Sequence, residues 1–266
     1  MKISNFTKLF ERDMRYKNYS ASTIKNYVCQ IELFLKKFMD KDSPKHISSS
    51  EIKDYILTSN EVNSQRHMHS AIKLFYKLTV HQPNKFRHIQ YARKNKKLPQ
   101  VIDRQFLLDR ISKIENLKHK AIISLAFSVG LRVSEVINLK ITDVDSDRML
   151  ITIRQAKGNK DRLVPLSPTI LKLLRSYFKL YKPMEYLFNG QFSRQYSKES
   201  CNKIVKKYLG SQYHFHTLRH SSFTSMVELG TNMRLIQEIS GHSSGRTLDI
   251  YTHISPKILN SAHIPL

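Results

Sequence analysis

Five short segments hold side chains suited to chemistry on an anion. They are Gly130-Leu131-Arg132-Val133-Ser134-Glu135, Lys157-Gly158-Asn159-Lys160-Asp161-Arg162, His216-Thr217-Leu218-Arg219-His220, Gly241-His242 and Tyr251-Thr252-His253. Arginine presents its donors in a planar fork that matches two oxygens of one phosphate or carboxylate. Histidine changes charge near neutral pH. Tyrosine carries a phenol that becomes a nucleophile once its proton is removed. Taken singly, each segment has an ordinary reading, as an ion pair, a satisfied structural histidine or a core tyrosine. His216 and His220 stand i,i+4 like a zinc-binding pair. The residue after His216 is Thr217, where the H-E-x-x-H pattern has Glu, and no third ligand is evident, so no metal is expected.

In this order and spacing the segments resemble the tyrosine recombinase (phage integrase) family, closest to its Xer-type and small-integrase branch, over nearly the whole chain. The family pattern is Arg, Lys, His-x-x-Arg, His or Trp, then Tyr. Here Arg132 stands in GLRVSE, Lys157 in KGNKDR, His216 and Arg219 in HTLRH, His242 in SGHSS, and Tyr251 nine residues later in YTH. The stretch GTNMRLIQEISGHSSGRTLDIYTHIS is the most specific part of the match. Two departures touch packing near the site. Ser222-Phe223-Thr224 replaces the usual Phe-Ala-Thr, and Ser240 replaces a bulky residue before Gly241.

The resemblance implies a site-specific recombinase that cuts and rejoins DNA through a 3′-phosphotyrosine and a Holliday junction. Tyr251 is the nucleophile it implies. Arg132, Arg219 and His242 would hold the non-bridging oxygens of the transition state, His216 would act as general base, and Lys157 would protonate the departing 5′-hydroxyl. The phosphodiester energy is kept in the covalent bond, so neither ATP nor any other cofactor is expected. Glu135, three residues after Arg132 and on one helical face with it, resembles the acidic residue that steadies this site; its plain alternative is a surface ion pair. The partner implied is double-stranded DNA with a specific site, bound by a homotetramer with two protomers per site. A type IB topoisomerase-like relaxing enzyme and a non-catalytic DNA-binding protein are the rival readings.

The elements that must position these residues are mostly helical. Ile24, Tyr27, Val28, Ile31, Phe34, Leu35 and Phe38 recur at helical spacing behind a cap at Ser20 or Ser22; a second helix starts within Ser48-Ser49-Ser50, and a third carries Met68 to Leu78. Further on, Phe106 to Ile111, Lys120 to Val129, and Arg132 to Leu139 after a break at Gly130 read as helices. Met149 to Ile153 and Arg162 to Leu166 read as a β-hairpin about the turn at Lys157 to Lys160, and Ser167-Pro168 opens another helix. The fold class expected is mainly α with a small antiparallel β-sheet, a two-domain DNA clamp. A helical core-binding domain spans 1–84, a basic linker 85–97, and a catalytic domain with a C-terminal docking tail 98–266. Lys85, Arg87, Arg93, Lys94, Lys96 and Lys97 fill the linker without an acidic residue, which reads as a segment lying on phosphate.

Bulk composition agrees with a nucleic-acid partner. There are 45 Lys+Arg against 21 Asp+Glu, a formal net charge of +24. Such self-repulsion calls for a polyanion, although a ribosomal protein or a membrane-surface binder would share it. Two cysteines, Cys29 and Cys201, exclude a disulfide scaffold and a four-cysteine zinc site. No apolar stretch is long enough to span a bilayer, and the expected location is cytoplasmic, on the nucleoid.

Overall fold

The computed structural model describes residues 2–93, 99–156, 160–191 and 193–241. The chain forms two compact units, 1–96 and 97–266.

In the first unit, four helices enclose an apolar core: α1 (Ile3–Tyr16), α2 (Ala21–Lys37), α3 (Ser49–Leu57) and α4 (Val62–Leu78). Ser20 caps α2 by accepting the Thr23 N–H at 3.3 Å, and Ile24, Ile31, Phe34 and Leu35 turn inward at the expected period. α3 opens with a capping box: Ser48 Oγ accepts the Glu51 N–H at 3.2 Å, and Glu51 accepts the Ser48 N–H at 2.8 Å. Edge-to-face aromatic contacts knit the core, among them Phe10 on Phe75 at 5.4 Å and Phe34 on Tyr55 at 5.2 Å.

Residues just after 84 also pack on this unit. Pro83–Phe86 forms a 3-10 helix, and Phe86 and Ile89 belong to the first core. Lys85 folds back onto its own unit. Its ammonium donates to the Lys45 carbonyl at 2.5 Å and to that of Ile47, and sits 5.6 Å from the Tyr76 ring centre. Burial draws its pKa down. Arg87 and Arg93 are exposed, while Lys94, Lys96 and Lys97 lie outside the described residues.

The second unit contains α5 (Arg104–Ser112), α6 (Leu117–Val129), α7 (Val133–Asn138), β1 (Val144–Asp145), β2 (Leu150–Ala156), β3 (Lys160–Pro165), α8 (Pro168–Tyr181), α9 (Lys198–Leu209), α10 (Phe215–Glu228) and α11 (Met233–Ser240). Central α6 buries Ala121 to Ala126 without a break, which is why it lacks a polar face; α8 and α10 pack on it. Asn116 caps its start by accepting the His119 N–H at 3.0 Å. Gly130 ends it in a left-handed conformation, φ +64°.

The sheet is antiparallel in the order β1-β2-β3. Met149, at φ +54°, stands just outside β2, so that strand begins at Leu150. Ile151 pairs with Val164 and Ile153 with Arg162. Ile151, Ile153 and Val164 are buried, so this parity of the hairpin faces the core.

Candidate active site

Three segments distant in sequence converge on one buried carboxylate. Arg132 occupies the N-cap of α7 with an extended backbone, φ −73° and ψ 152°, so its side chain leaves the chain before the helix starts. Glu135, one turn on, reaches back. Oε2 accepts the Arg132 backbone N–H at 2.9 Å, and Oε1 accepts Arg132 Nη1 at 2.7 Å. Arg162, from β3, closes a parallel fork on the same carboxylate. Its Nη1 donates to Oε1 and its Nη2 to Oε2, both at 2.9 Å. Arg219, from α10, brings Nη1 to 4.0 Å from Oε2. Burial on its own would raise the Glu135 pKa. The fork from Arg162 and its charge, with the two hydrogen bonds from Arg132, outweigh that and hold it down at about 2.

Arg219 is 1% exposed. Its Nη1 donates to the Gly130 carbonyl at 2.6 Å and its Nη2 to the Ser240 carbonyl at 2.7 Å, while its guanidinium lies 4.7 Å from the centre of the Phe223 ring. That ring also fills the space a Cβ on Gly130 would need, at 2.5 Å. Both departures noted in the sequence therefore sit in direct contact with Arg219. Phe223 supplies an aromatic face beneath the guanidinium, and Ser240 contributes its carbonyl.

The end of α11 is tied to the same cluster. Arg162 Nε donates to the Ile239 carbonyl at 2.7 Å, and a Cβ on Gly241 would lie 3.1 Å from Arg162 Cδ. Gly241 itself closes α11 at φ +63°.

His216 stands in the first turn of α10 and reaches the surface. Desolvation by the surrounding protein, then the charges of Arg219 and Arg132, draw its pKa below the ordinary imidazole value. His220 meets it edge to face with ring centres 4.5 Å apart, and burial, with the fields of His216 and Arg219, lowers its pKa to about 4. A neutral imidazole at His216 is a proton acceptor at physiological pH. Among the described residues no group of three His, Cys, Asp or Glu is arranged to hold a metal ion.

Of the residues expected from sequence, Arg132, Arg219, His216 and Glu135 come together around this centre, and Glu135 is a buried partner of several arginines, not a surface ion pair. Lys157, His242 and Tyr251 lie outside the described residues. Arg162 had no role in the sequence reading, though it ends the KGNKDR segment. Strand parity was the available signal: an arginine opposite Ile153 and two residues before Val164 is directed inward.

Residues 102–257 match the phage integrase family, and residues 6–85 match the phage integrase N-terminal SAM-like domain. The tyrosine recombinase XerA of Pyrococcus furiosus is 29% identical over 260 residues, 90% of this chain and 87% of that protein. Tyrosine recombinase XerC of Bacillus subtilis is 27% identical across 98% of this chain and 96% of its own length. Among solved structures, the XerH site-specific recombinase in a post-cleavage complex with palindromic difH substrate superposes with a TM-score of 0.76 at 22% identity, over 96% of this chain and 83% of that one, a likeness of fold. No helix among the described residues is long and apolar enough to cross a membrane. With both family models matched in order along the chain, this protein belongs to the phage integrase family of tyrosine recombinases, in its Xer-like branch.

Proposed function

We propose that this recombinase joins its own Tyr251 to a DNA 3′-phosphate and then exchanges strands at a specific site. The observation that carries the reading is the meeting of Arg132 and Arg219, from separate helices, at the single carboxylate of Glu135. Three guanidiniums against one carboxylate leave a surplus of positive charge at this centre, as an anionic phosphorus centre requires.

In this mechanism Arg132 and Arg219, with His242 as a third donor, neutralise the non-bridging oxygens. His216, kept neutral, takes the phenolic proton of Tyr251 as its oxygen attacks phosphorus. Lys157 gives a proton to the 5′-hydroxyl that leaves. The bond broken is the P–O5′ bond and the bond formed is P–O to tyrosine, so the energy of the ester is retained for rejoining. The partner is double-stranded DNA with a specific site, bound by a homotetramer with two protomers per site. Arg87 and Arg93, both exposed, together with Lys94, Lys96 and Lys97, contribute phosphate contacts, so binding falls steeply with salt. Such a substrate puts the protein in the cytoplasm, on the nucleoid.

The test uses nicked suicide duplexes tiled from the DNA that flanks the gene. A covalent protein–DNA adduct is expected with the unaltered chain, none with Tyr251→Phe, and a rate lowered about 10²–10³-fold with Arg219→Lys, which keeps the charge but loses the fork. An unaltered chain that binds these duplexes without forming an adduct would reduce the protein to a binding module. Relaxation of supercoils without exchange between paired sites would favour a topoisomerase-like activity.

A further inference from the structure

We propose that Arg162 is a positioning residue for strand cleavage: it takes up the charge of Glu135, so that Arg132 and Arg219 keep theirs for the phosphate. The proposal rests on the assignment of those two arginines to the phosphate. Three guanidiniums approach the carboxylate and only one engages it as a parallel fork. Arg162 makes two hydrogen bonds of 2.9 Å to two different oxygens, with its side chain 9% exposed. Arg132 makes one side-chain contact, through Nη1, and its side chain is more open to solvent at 22%. Arg219 stays 4.0 Å away, with its Nη groups bound to the Gly130 and Ser240 carbonyls. A planar fork is the tightest arrangement between these two groups, so the negative charge is balanced mainly by the arginine farthest from any catalytic assignment.

The other charged groups near Glu135 do not substitute for it. The 520 Å³ cavity beside Glu135 is also lined by Lys140, Asp143, Arg154 and Asp161. Of these, Arg154 is held by Asp143 at 2.6 Å, and Lys140 by Glu185 at 3.0 Å. Without Arg162, a carboxylate that is 7% exposed would lose two of its four close hydrogen bonds. It would be drawn onto Arg132 and Arg219 and would compete there with phosphate. Arg162 also anchors the Ile239 carbonyl, three residues before His242, so one side chain fixes both the charge balance and the exit of α11.

The experiment compares Arg162→Gln, Arg162→Lys and the double variant Arg162→Gln with Glu135→Gln. It measures adduct formation at saturating nicked duplex, DNA affinity by mobility shift, and thermal unfolding. Arg162→Gln is expected to slow adduct formation about 100-fold with DNA affinity unchanged. Removing the unbalanced carboxylate in the double variant is expected to restore at least about tenfold of that loss. A lost structural brace would not be rescued by removing its partner as well. The proposal is overturned if Arg162→Gln cleaves at the unaltered rate, or if the double variant is no faster than Arg162→Gln. If Arg162→Gln does not fold, Arg162→Lys decides: a rate within about tenfold of the unaltered chain supports charge balance, and a larger loss overturns it. No adduct from the unaltered chain would instead remove the underlying catalytic reading.

Discussion

At the start of α3, Glu51 accepts the backbone N–H of Ser48 at 2.8 Å and pairs with Lys41 at 2.9 Å. At the start of α7, Glu135 accepts the backbone N–H of Arg132 at 2.9 Å and then meets three guanidiniums. Both carboxylates have pKa values near 2. At Glu51 the low value comes first from the backbone hydrogen bond of Ser48 and then from Lys41, with water still in reach. At Glu135 burial opposes the ionised form, and only the arginines reverse the sign. One glutamate at the third helical position thus closes a helix in the first unit, while in the second it holds a cationic centre together. The same capping chemistry can serve stability alone or become the core of a site, depending on how many charges are buried with it.

The largest expected effect is that of Glu135→Ala. Leaving three arginines without their shared anion should cost about 3–5 kcal/mol in urea unfolding, together with loss of cleavage. A loss near that of an ordinary surface site would place Glu135 with Glu51 and end the contrast. Gly130→Ala comes next. A Cβ there would lie 2.5 Å from the Phe223 ring on a backbone at φ +64°, so a loss of about 2 kcal/mol is expected, with Arg219 displaced through its Gly130 contact. Calorimetry and the adduct assay on the same variant read both consequences.

A pH series follows. The folded protein binds a proton at His220 only near pH 4, whereas the unfolded chain binds it near pH 6.5. Between those values the unfolded state holds more protons, so stability should fall as pH drops from 6.5 to 4. His220→Gln should flatten this part of the curve, and an unchanged slope would exclude His220 as its source. The cleavage rate should stay level to below pH 6.5, because His216 also resists protonation. The smallest effect is that of Glu51→Gln, a slight drop in thermal midpoint and no change in cleavage rate.

Local signals were readable where neighbours decide the outcome. The apolar period with a cap at Ser20 or Ser22 announced α2, the run Ser48-Ser49-Ser50 marked the start of α3, and Gly130 separated two helices. The basic run after residue 84 concealed the inward packing of Phe86 and Ile89, two apolar anchors three residues apart, and the return of Lys85 onto carbonyls some 40 residues earlier. Arg132, Arg219, His216 and Glu135 were legible by motif. Their arrangement was not, since it depends on contacts such as Arg219 to Gly130, 89 residues apart, and on the inward parity of Arg162.

The segment from Gly130 to Glu135 has a consequence for how this protein can change. Six consecutive residues supply a carbonyl for one arginine, a left-handed turn, a second arginine and the carboxylate that receives them. Adding or deleting one residue there would swing Glu135 by about 100° around its helix axis. The length of this stretch therefore has little tolerance, and variants that alter it should be absent from any library selected for activity.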